Sequence, residues 1–510
     1  MADLSMNSNG AEFLGKLEKK SRGLIWLALG FLLCVFSAGR YNIFITAWIW
    51  PLLFLRFVRL SRPLPGLGLS ALALTAAGMI KWFGVIPDYH ITLNLIANLV
   101  LGAVAGLFTI IPFAADKLLH RRLQEKRGLL SLFVFPLAWA ASEFLISLTP
   151  LSSITSYAYT QYGNLPFMQL VSVTGSFAVV FLLGLWACVV NGAWEKNFSW
   201  IDSRKTICAF ACTIIAINLL GGARIAVRAL DTDTVRIASV LEMQNTDAFF
   251  ETAFDNRSLD AAFMEQSLAA MERQVRAAAA MGAKIVNWSE ECFPLLDTAE
   301  NEFTQAACAI ARKYDLYLLV PMDVRTLEAE SLFANKQIFI APSGSVEWSY
   351  VKKNLVPLVE MGYARGDRIV PYSDTDFSRI ASAICFDSNF PTFIRQAGKN
   401  KADIFLNPSW DWKGIESYHS MGTTFRAIEN GFSLVRNTND GIIWAVDPYG
   451  RTLTAYNSLG VNQELIPTDV PLSGVKTVYS MLGDWFNWAC VLGLLALLGY
   501  AFVPNKKKAK

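Results

Sequence analysis

Hydrophobic positions are unevenly spread along this chain. Long apolar runs crowd the first 220 residues or so and return once near the C-terminus, whereas the stretch between them mixes apolar and polar positions like a folded α/β domain. A helix of roughly 20 apolar residues crosses about 30 Å of hydrocarbon while satisfying its own backbone. Spans are predicted at 23–39, 43–58, 66–86, 91–115, 129–148, 166–194 and 206–222, and an eighth at 484–503. The first is followed at once by others and by no convincing cleavage site, which argues against a removable signal peptide.

The polar residues between the spans set an orientation. Lys16, Lys19, Lys20 and Arg22 precede the first span, and Arg56, Arg59 and Arg62 lie between the second and third. Lys117, Arg121, Arg122, Lys126 and Arg127 separate the fourth from the fifth. Lys196, Arg204 and Lys205 separate the sixth from the seventh, and Lys506, Lys507, Lys508 and Lys510 end the chain. The alternate connections, Pro87-Asp88-Tyr89-His90 and 153–164, carry no Lys or Arg. Basic loops stay cytoplasmic, so the pattern predicts eight helices, both termini in the cytoplasm, and the long segment before the last span outside it. The division expected is a tail at 1–22, seven spans within 23–224, a globular domain at 225–475, the eighth span within 476–503 and a basic tail at 504–510.

Within 225–475 the periodicity changes. Strand-like runs occur at Val235–Leu241, Lys284–Trp288, Leu316–Val320, Gln337–Ala341, Ile380–Ile384, Ile404–Asn407, Ser433–Arg436 and Ile442–Ala445. Ser267–Met281 and Phe303–Lys313 carry helical spacing. Pro342-Ser343-Gly344 and Asp447-Pro448-Tyr449-Gly450 are turn signals, each closing a strand pair. Strands alternating with helices, plus hairpins, predict a layered α/β sandwich.

Composition agrees. Of 510 residues, 53% are hydrophobic and 17% charged, and the mean hydropathy of +0.35 is too high for an ordinary soluble protein. The net charge of +3 follows from the basic loops. No concentrated basic surface with interleaved aromatics is present, which excludes a nucleic-acid partner. Five of the eight cysteines (Cys34, Cys188, Cys208, Cys212, Cys490) fall in or beside spans and read as small packing residues. The remaining three, Cys292, Cys308 and Cys385, are an odd number, so at least one is a free thiol. Cys292 and Cys308 are either a pair or two buried thiols.

The candidate chemistry centres on Cys385, which follows the run Arg379–Ile384 at what reads as a sharp strand-to-helix turn. Glu290 follows the strand Lys284–Trp288, and Lys352 ends Tyr350-Val351-Lys352. A thiol attacks carbonyls as thiolate; a carboxylate serves as its base, and an ammonium stabilises first the thiolate and then the tetrahedral oxyanion. Glu291 competes with Glu290 as the base, with the spacing after the strand favouring Glu290. His90 and His120 belong to loops of the membrane part. His419, the only histidine of the domain, lies in Tyr418-His419-Ser420, either in a direct catalytic role or outside it. Glu143, inside a predicted span, is costly in hydrocarbon unless paired or facing water; it is either a structural hydrogen-bonding group or part of a lipid headgroup path. Trp410, Trp412, Leu358 and Met361 fall on predicted loops, as packing residues or as mobile arms touching the bilayer, where aromatic rings favour the interface.

Together these motifs resemble a known family. Trp288-Ser289-Glu290, Tyr350-Val351-Lys352 and Ile384-Cys385-Phe386-Asp387 are similar to the Glu–Lys–Cys triad of the nitrilase superfamily. Asn354-Leu355-Val356-Pro357 followed by Glu360, and Arg436-Asn437-Thr438-Asn439-Asp440-Gly441, resemble its membrane branch, the apolipoprotein N-acyltransferases. The resemblance covers nearly the whole chain. It implies a multi-pass helical membrane domain of about eight spans carrying an extracytoplasmic nitrilase-like αββα sandwich, in the bacterial inner membrane and facing the periplasm. It implies Glu290 as general base, Lys352 as oxyanion stabiliser, Cys385 as nucleophile, Glu360 as the acid orienting the lysine and Asp387 in a supporting position, with Trp410, Trp412, Glu143 and His419 as candidate substrate-binding residues. The implied partners are a phospholipid acyl donor and a diacylated apolipoprotein acceptor, with the enzyme a monomer using no metal and no organic cofactor. Ser289 stands where the family has Pro, Asn354 where it has His, Leu358-Val359 where it has Phe-Gly, Asp387 where Glu is commoner, and Asn407-Pro408-Ser409-Trp410 only partly follows Asn-Asp-x-Trp. These departures spare the triad and bear on lid shape and acceptor preference. Two alternatives share the sequence: a membrane-tethered amidase or nitrile hydrolase using water, for which a single span would suffice, and a transporter-like or scaffold protein with an inactive domain, against which the intact trio argues.

Overall fold

The structure is a computed structural model and describes residues 23–87, 91–227, 233–241, 259–326, 333–461 and 464–504. The basic tails and Asp88–His90 lie outside the described residues. The helical part comprises α1 (Gly23–Val35), α2 (Thr46–Leu60), α3 (Pro63–Lys81), α4 (Ile91–Phe108), α5 (Ile111–Lys126), α6 (Val134–Ser147), α7 (Phe177–Glu195), α8 (Trp200–Val227) and, at the far end of the chain, α13 (Trp485–Phe502).

Among the described residues six helices are long and apolar enough to cross a membrane, against the eight spans expected. Gly23–Val35 and Thr46–Leu60 fall short of that length, and α2 carries Pro51 inside it. The expected span 166–194 is interrupted: Gly175 has φ +78, and only Phe177–Glu195 is continuous. The basic residues Lys117, Arg121, Arg122 and Lys126, read as a loop, lie on α5. Close helix packing is bought with small residues. A Cβ added at Gly78 of α3 would lie 2.1 Å from the Gly102 carbonyl of α4, and one at Gly106 would lie 2.2 Å from that of Leu74.

The α/β domain is built from β1 (Thr234–Leu241), α9 (Leu259–Ala280), β2 (Ile285–Trp288), β3 (Phe293–Leu296), α10 (Glu300–Tyr314), β4 (Tyr317–Arg325), β5 (Phe333–Ile340), β6 (Val346–Val351), β7 (Tyr372–Asp374), β8 (Arg379–Ser382), α11 (Pro391–Lys399), β9 (Ile404–Trp410), α12 (Glu416–Asn430), β10 (Ser433–Asn439), β11 (Ile442–Val446), β12 (Thr452–Asn457) and β13 (Glu464–Pro471). One sheet runs β13-β1-β2-β4-β5-β6, with β3 also paired to β4; the other runs β12-β11-β10-β9-β8-β7. Ile237, Leu319 and Phe339 of the first face Ile404, Leu406 and Val435 of the second. The outer face of the first sheet packs Met271 and Val275 of α9 and Phe303 of α10, and that of the second packs Phe393 and Ile394 of α11 and Ala427 of α12. The layers are therefore helix, sheet, sheet, helix, the nitrilase-like sandwich expected.

Both turn signals close antiparallel pairs, β5–β6 and β11–β12. Trp410, expected on a loop, is the last residue of β9 and pairs with Asn439. The strands unread from sequence, among them β6, β12 and β13, have partly exposed polar faces that dilute the apolar pattern.

The α/β domain sits on the helix ends through α12 and its approach. Tyr418 donates to the Ser156 carbonyl at 3.0 Å and meets the Trp82 ring at 5.3 Å. Arg426 donates to the Ser176 hydroxyl at 2.9 Å, and Glu429 accepts from the same hydroxyl at 2.6 Å. The Trp412 indole donates to the Gly84 carbonyl at 2.9 Å, and beside it Gly414 leaves no room for a Cβ, which would lie 1.8 Å from that oxygen.

Candidate active site

Parallel strands β8, β9 and β10 end together, the Glu290 N–H just past β2 of the facing sheet donates to the Ser409 carbonyl of β9 at 3.3 Å, and ligand sites of α/β sheets gather at such carboxyl ends. Glu290 leaves β2, Cys385 follows β8, and Trp410 closes β9. Lys352 follows the last residue of β6, and its N–H donates to the Asn335 carbonyl at 2.8 Å.

Cys385 opens a 3-10 turn, Cys385–Asn389, with φ +39. That left-handed backbone is disfavoured for a residue with a Cβ and is tolerated where surrounding structure holds it, commonly at active sites. The thiol donates to the Trp410 carbonyl at 3.7 Å, while the Trp410 N–H donates to Glu290 Oε2 at 2.8 Å. One residue at the end of β9 therefore holds both sulfur and carboxylate. Glu290 Oε1 accepts from Lys352 Nζ and from Asn335 Nδ2, both at 2.7 Å. Lys352 also donates to Glu360 Oε1 at 2.7 Å, and Glu360 Oε2 accepts the Val356 N–H at 2.6 Å.

Burial sets the electrostatics. It pushes the Cys385 thiol well above its ordinary range, with Glu290 adding to the rise and Lys352 and Arg436 opposing it. Burial also works against the Lys352 charge, yet Glu290, Glu360 and Cys385 together hold this ammonium well above the usual lysine range, so it stays charged while 1% exposed. Asp387 lies under the turn, accepting from Tyr350 Oη at 2.6 Å and from the Asn354 N–H and side-chain amide at 2.8 Å each. Burial raises it to about 6 against those hydrogen bonds and Lys352.

A second buried group borders the sulfur. Donor atoms of Cys385, Asp411 and His419 lie within 4.8 Å of one another. Arg436 donates to both Asp411 oxygens, at 2.6 and 2.9 Å, and His419 Nδ1 is 2.9 Å from Asp411 Oδ1. The guanidinium thus occupies the side a metal would take. Burial and then Arg436 lower the His419 pKa, leaving a neutral ring whose Nε2 is 2.9 Å from Asn389 Nδ2. Asn335 and Asp411 were missed by the sequence reading. Neither stands in a local motif: Asn335 matters through Glu290, 45 residues away, and Asp411 through Arg436, 25 residues away.

Cys385, Glu290, Glu291 and Lys352 line a cavity of about 950 Å³ that continues between the two parts of the molecule. Its walls there are apolar, among them Leu101, Val104, Phe108, Ile146 and Ile154. Glu143 lines it too: Oε2 accepts the Ser156 hydroxyl at 2.6 Å, and Oε1 has no partner among the described residues. Lys81, 3% exposed, donates to Tyr157 Oη beside it. Trp410, Trp412 and His419 border the cavity, whereas Leu358 and Met361 point outward, 58% and 72% exposed.

Residues 260–478 match the family model described as Carbon-nitrogen hydrolase. Over 84% of its length the chain is 26% identical to the apolipoprotein N-acyltransferase of Geobacter metallireducens, covering 84% of that protein. The chain thus carries a carbon-nitrogen hydrolase domain and is similar over most of its length to apolipoprotein N-acyltransferases. A second relative, the apolipoprotein N-acyltransferase of Bradyrhizobium diazoefficiens, is 24% identical over 94% of each chain. Among solved structures an amidase from Nesterenkonia sp. is similar at 18% identity, covering 48% of this chain and 92% of that one with a TM-score of 0.40. The relatives and the apolar helices make the chain a bacterial membrane protein that couples those helices to a nitrilase-like domain.

Proposed function

We propose that this protein is an acyltransferase that moves a fatty acyl chain from a phospholipid to the N-terminal amine of a diacylglyceryl-cysteine lipoprotein through a thioester on Cys385. The observation that carries this reading is the shared cavity. The Glu290–Lys352 pair and the Cys385 sulfur line one end, and apolar walls between helices line the other, so a lipid ester has a path to a nucleophile. An amidase acting on small soluble molecules has no use for such walls.

In the first half-reaction Glu290 takes the thiol proton as sulfur attacks the ester carbonyl. Lys352, held charged by two carboxylates, donates to the developing oxyanion. The tetrahedral species expels the lysophospholipid oxygen, which receives the proton from Glu290. In the second, the amine attacks the thioester and the thiol is restored; splitting one hard acyl transfer into two easier steps is what covalent catalysis provides. Glu360 and Asn335 orient the pair, and Asp387 braces the turn below sulfur. Glu143 and Lys81 are read as polar contacts for the donor headgroup, which the unpartnered Glu143 oxygen supports. Trp412 is read as a clasp between domain and helices.

The basic loops support eight membrane passages with both termini in the cytoplasm and the catalytic domain on the periplasmic side of the inner membrane, working as a monomer. Incubation with phosphatidylethanolamine carrying a labelled acyl chain is expected to leave label on Cys385, cleared by a diacylated lipopeptide, and none on the Cys385→Ala protein. Label cleared equally fast by water alone would favour the amidase reading, and no label on the folded wild type would favour an inactive domain.

A further inference from the structure

The chemistry above uses Glu290 and leaves its neighbour idle. Glu291 has φ +55, a left-handed backbone like that of Cys385, and its side chain lines the same cavity as the sulfur. Its Oε1 is closed to solvent and has no hydrogen-bond partner among the described residues. Next to it Asp323, 1% exposed, gives one oxygen to Arg325 at 3.1 Å and has the other without a partner among the described residues. The wall beside them is aromatic: Phe333 and Tyr363 stack with centroids 5.1 Å apart. Buried carboxyl oxygens without donors are costly, and the ligand that complements them is a cation bearing N–H groups. The lysine nearest at hand, Lys352, is already committed to Glu290 and Glu360.

We infer that Glu291 is the ammonium subsite of the second half-reaction, binding the protonated α-amino group of the acceptor and taking its proton. This rests on the acyl-transfer reading. A free α-amino group has a pKa of about 7.7–8.0, so near neutrality it arrives mostly as an ammonium with no lone pair. Glu290, tied to Lys352 and Asn335 through Oε1 and to the Trp410 N–H through Oε2, is committed to the proton that travels to and from sulfur, so the extra proton of the ammonium needs a second acceptor. In the empty cavity burial, then Asp323 and Glu290, raise the Glu291 carboxyl well above its usual range, so it carries a proton. The arriving ammonium displaces that proton to solvent and forms an ion pair. Glu291 then accepts one N–H proton, leaving a neutral amine. The nitrogen attacks the thioester carbonyl carbon, a C–N bond forms, and the C–S bond breaks. A second N–H proton passes through Glu290 to sulfur, and Glu291 ends protonated as it began, so that one proton in all has gone to solvent when the amide leaves.

The test separates the two half-reactions in the full-length protein. The acyl-enzyme is formed from labelled phosphatidylethanolamine, then chased either with an S-diacylglyceryl-cysteinyl peptide or with hydroxylamine, which is uncharged near neutrality. For Glu291→Gln, acylation of Cys385 is expected within about 2-fold of wild type. Transfer to the peptide falls on the order of 100-fold at pH 7 and recovers as pH rises through about 8, while the hydroxylamine chase is unchanged. Wild-type peptide transfer at pH 7, or an equal loss for both nucleophiles at every pH, overturns the inference. If the amide variant does not fold, Glu291→Asp carries the same test. A loss of about 10-fold confined to the peptide chase supports the subsite, and an equal response to both chases overturns it. A wild-type protein that never acylates Cys385 overturns the acyl-transfer reading itself, a result visible before either chase is added.

Discussion

Two polar groups on one cavity, the Glu290–Lys352–Glu360 group of the α/β domain and the Lys81–Glu143 pair of the helices, are buried in opposite ways. At the end belonging to the α/β domain, both oxygens of Glu290 and both of Glu360 are hydrogen-bonded, and Lys352 is shared between the two carboxylates. At the end belonging to the helices, among the described residues, Lys81 reaches only Tyr157 and the Cys34 sulfur, and Glu143 leaves one oxygen without a partner. A saturated network is rigid, and rigidity is what a transition state needs from its surroundings. A half-satisfied group in low dielectric is costly until a ligand completes it. On the proposed function, the difference fits a reaction carried by the α/β domain and a lipid held by the helices.

The largest effect expected from attacking this contrast is at Lys352. Lys352→Met leaves Glu290 and Glu360 buried without their cation, which should cost about 3–5 kcal/mol of stability and on the order of 10²–10³ in the rate of Cys385 acylation. Denaturant titration and thioester formation check the two; wild-type acylation by this variant would show the saturated end to be structural only. Next is the joint between the ends. Gly414→Ala puts a methyl where the Gly84 carbonyl already lies, so it should lift Trp412 from the helices at a cost of about 1–3 kcal/mol. Phospholipid-dependent acylation should fall further than alkylation of Cys385 by a small soluble reagent, and an equal fall in both would mean the joint does not serve lipid access.

Asp387 sharpens the saturated end through pH. Its carboxyl is raised to about 6 by burial, against about 3.9 in an unfolded chain. A raised carboxyl favours the fold when protonated, so its contribution is complete below about pH 4 and is lost as pH rises through about 6. Wild type should therefore lose about 2 kcal/mol relative to Asp387→Asn between pH 4 and pH 7, read from denaturation midpoints at both pH values; a difference independent of pH would refute it. The smallest stability effect belongs to the other end. Glu143→Gln should change stability by less than about 1 kcal/mol, because its free oxygen has no partner to lose, yet raise the KM for phosphatidylethanolamine several-fold with kcat nearly unchanged. A loss in kcat alone would move Glu143 from substrate binding to the reaction.

Much of this was legible along the chain because it is local. The strand-to-turn setting of Cys385, the acid after Lys284–Trp288 and the lysine after Tyr350-Val351 are short segments, and each lies at a strand end in the structure. The helix patterns at Ser267–Met281 and Phe303–Lys313 fall within α9 and α10. The spans were harder. Hydropathy sees apolar content but not the break at Gly175 or the helical winding of a charged segment such as Lys117–Lys126. Trp410 read as a loop because Asn407-Pro408-Ser409 looks like a turn, whereas the flanking strand β10 holds those residues extended.

By itself the order of residues determined the architecture, apolar helices joined to a layered α/β domain, and the strand-end settings of Glu290, Lys352 and Cys385, since periodicity and strand-end motifs act over a few residues. Only tertiary packing decided which of two adjacent glutamates faces the lysine, that Arg436 and His419 converge on Asp411, and that Glu143 shares a cavity with a sulfur more than 200 residues away. Those choices are contacts between distant segments, and their energies exist only once the sheets and helix ends have closed on one another.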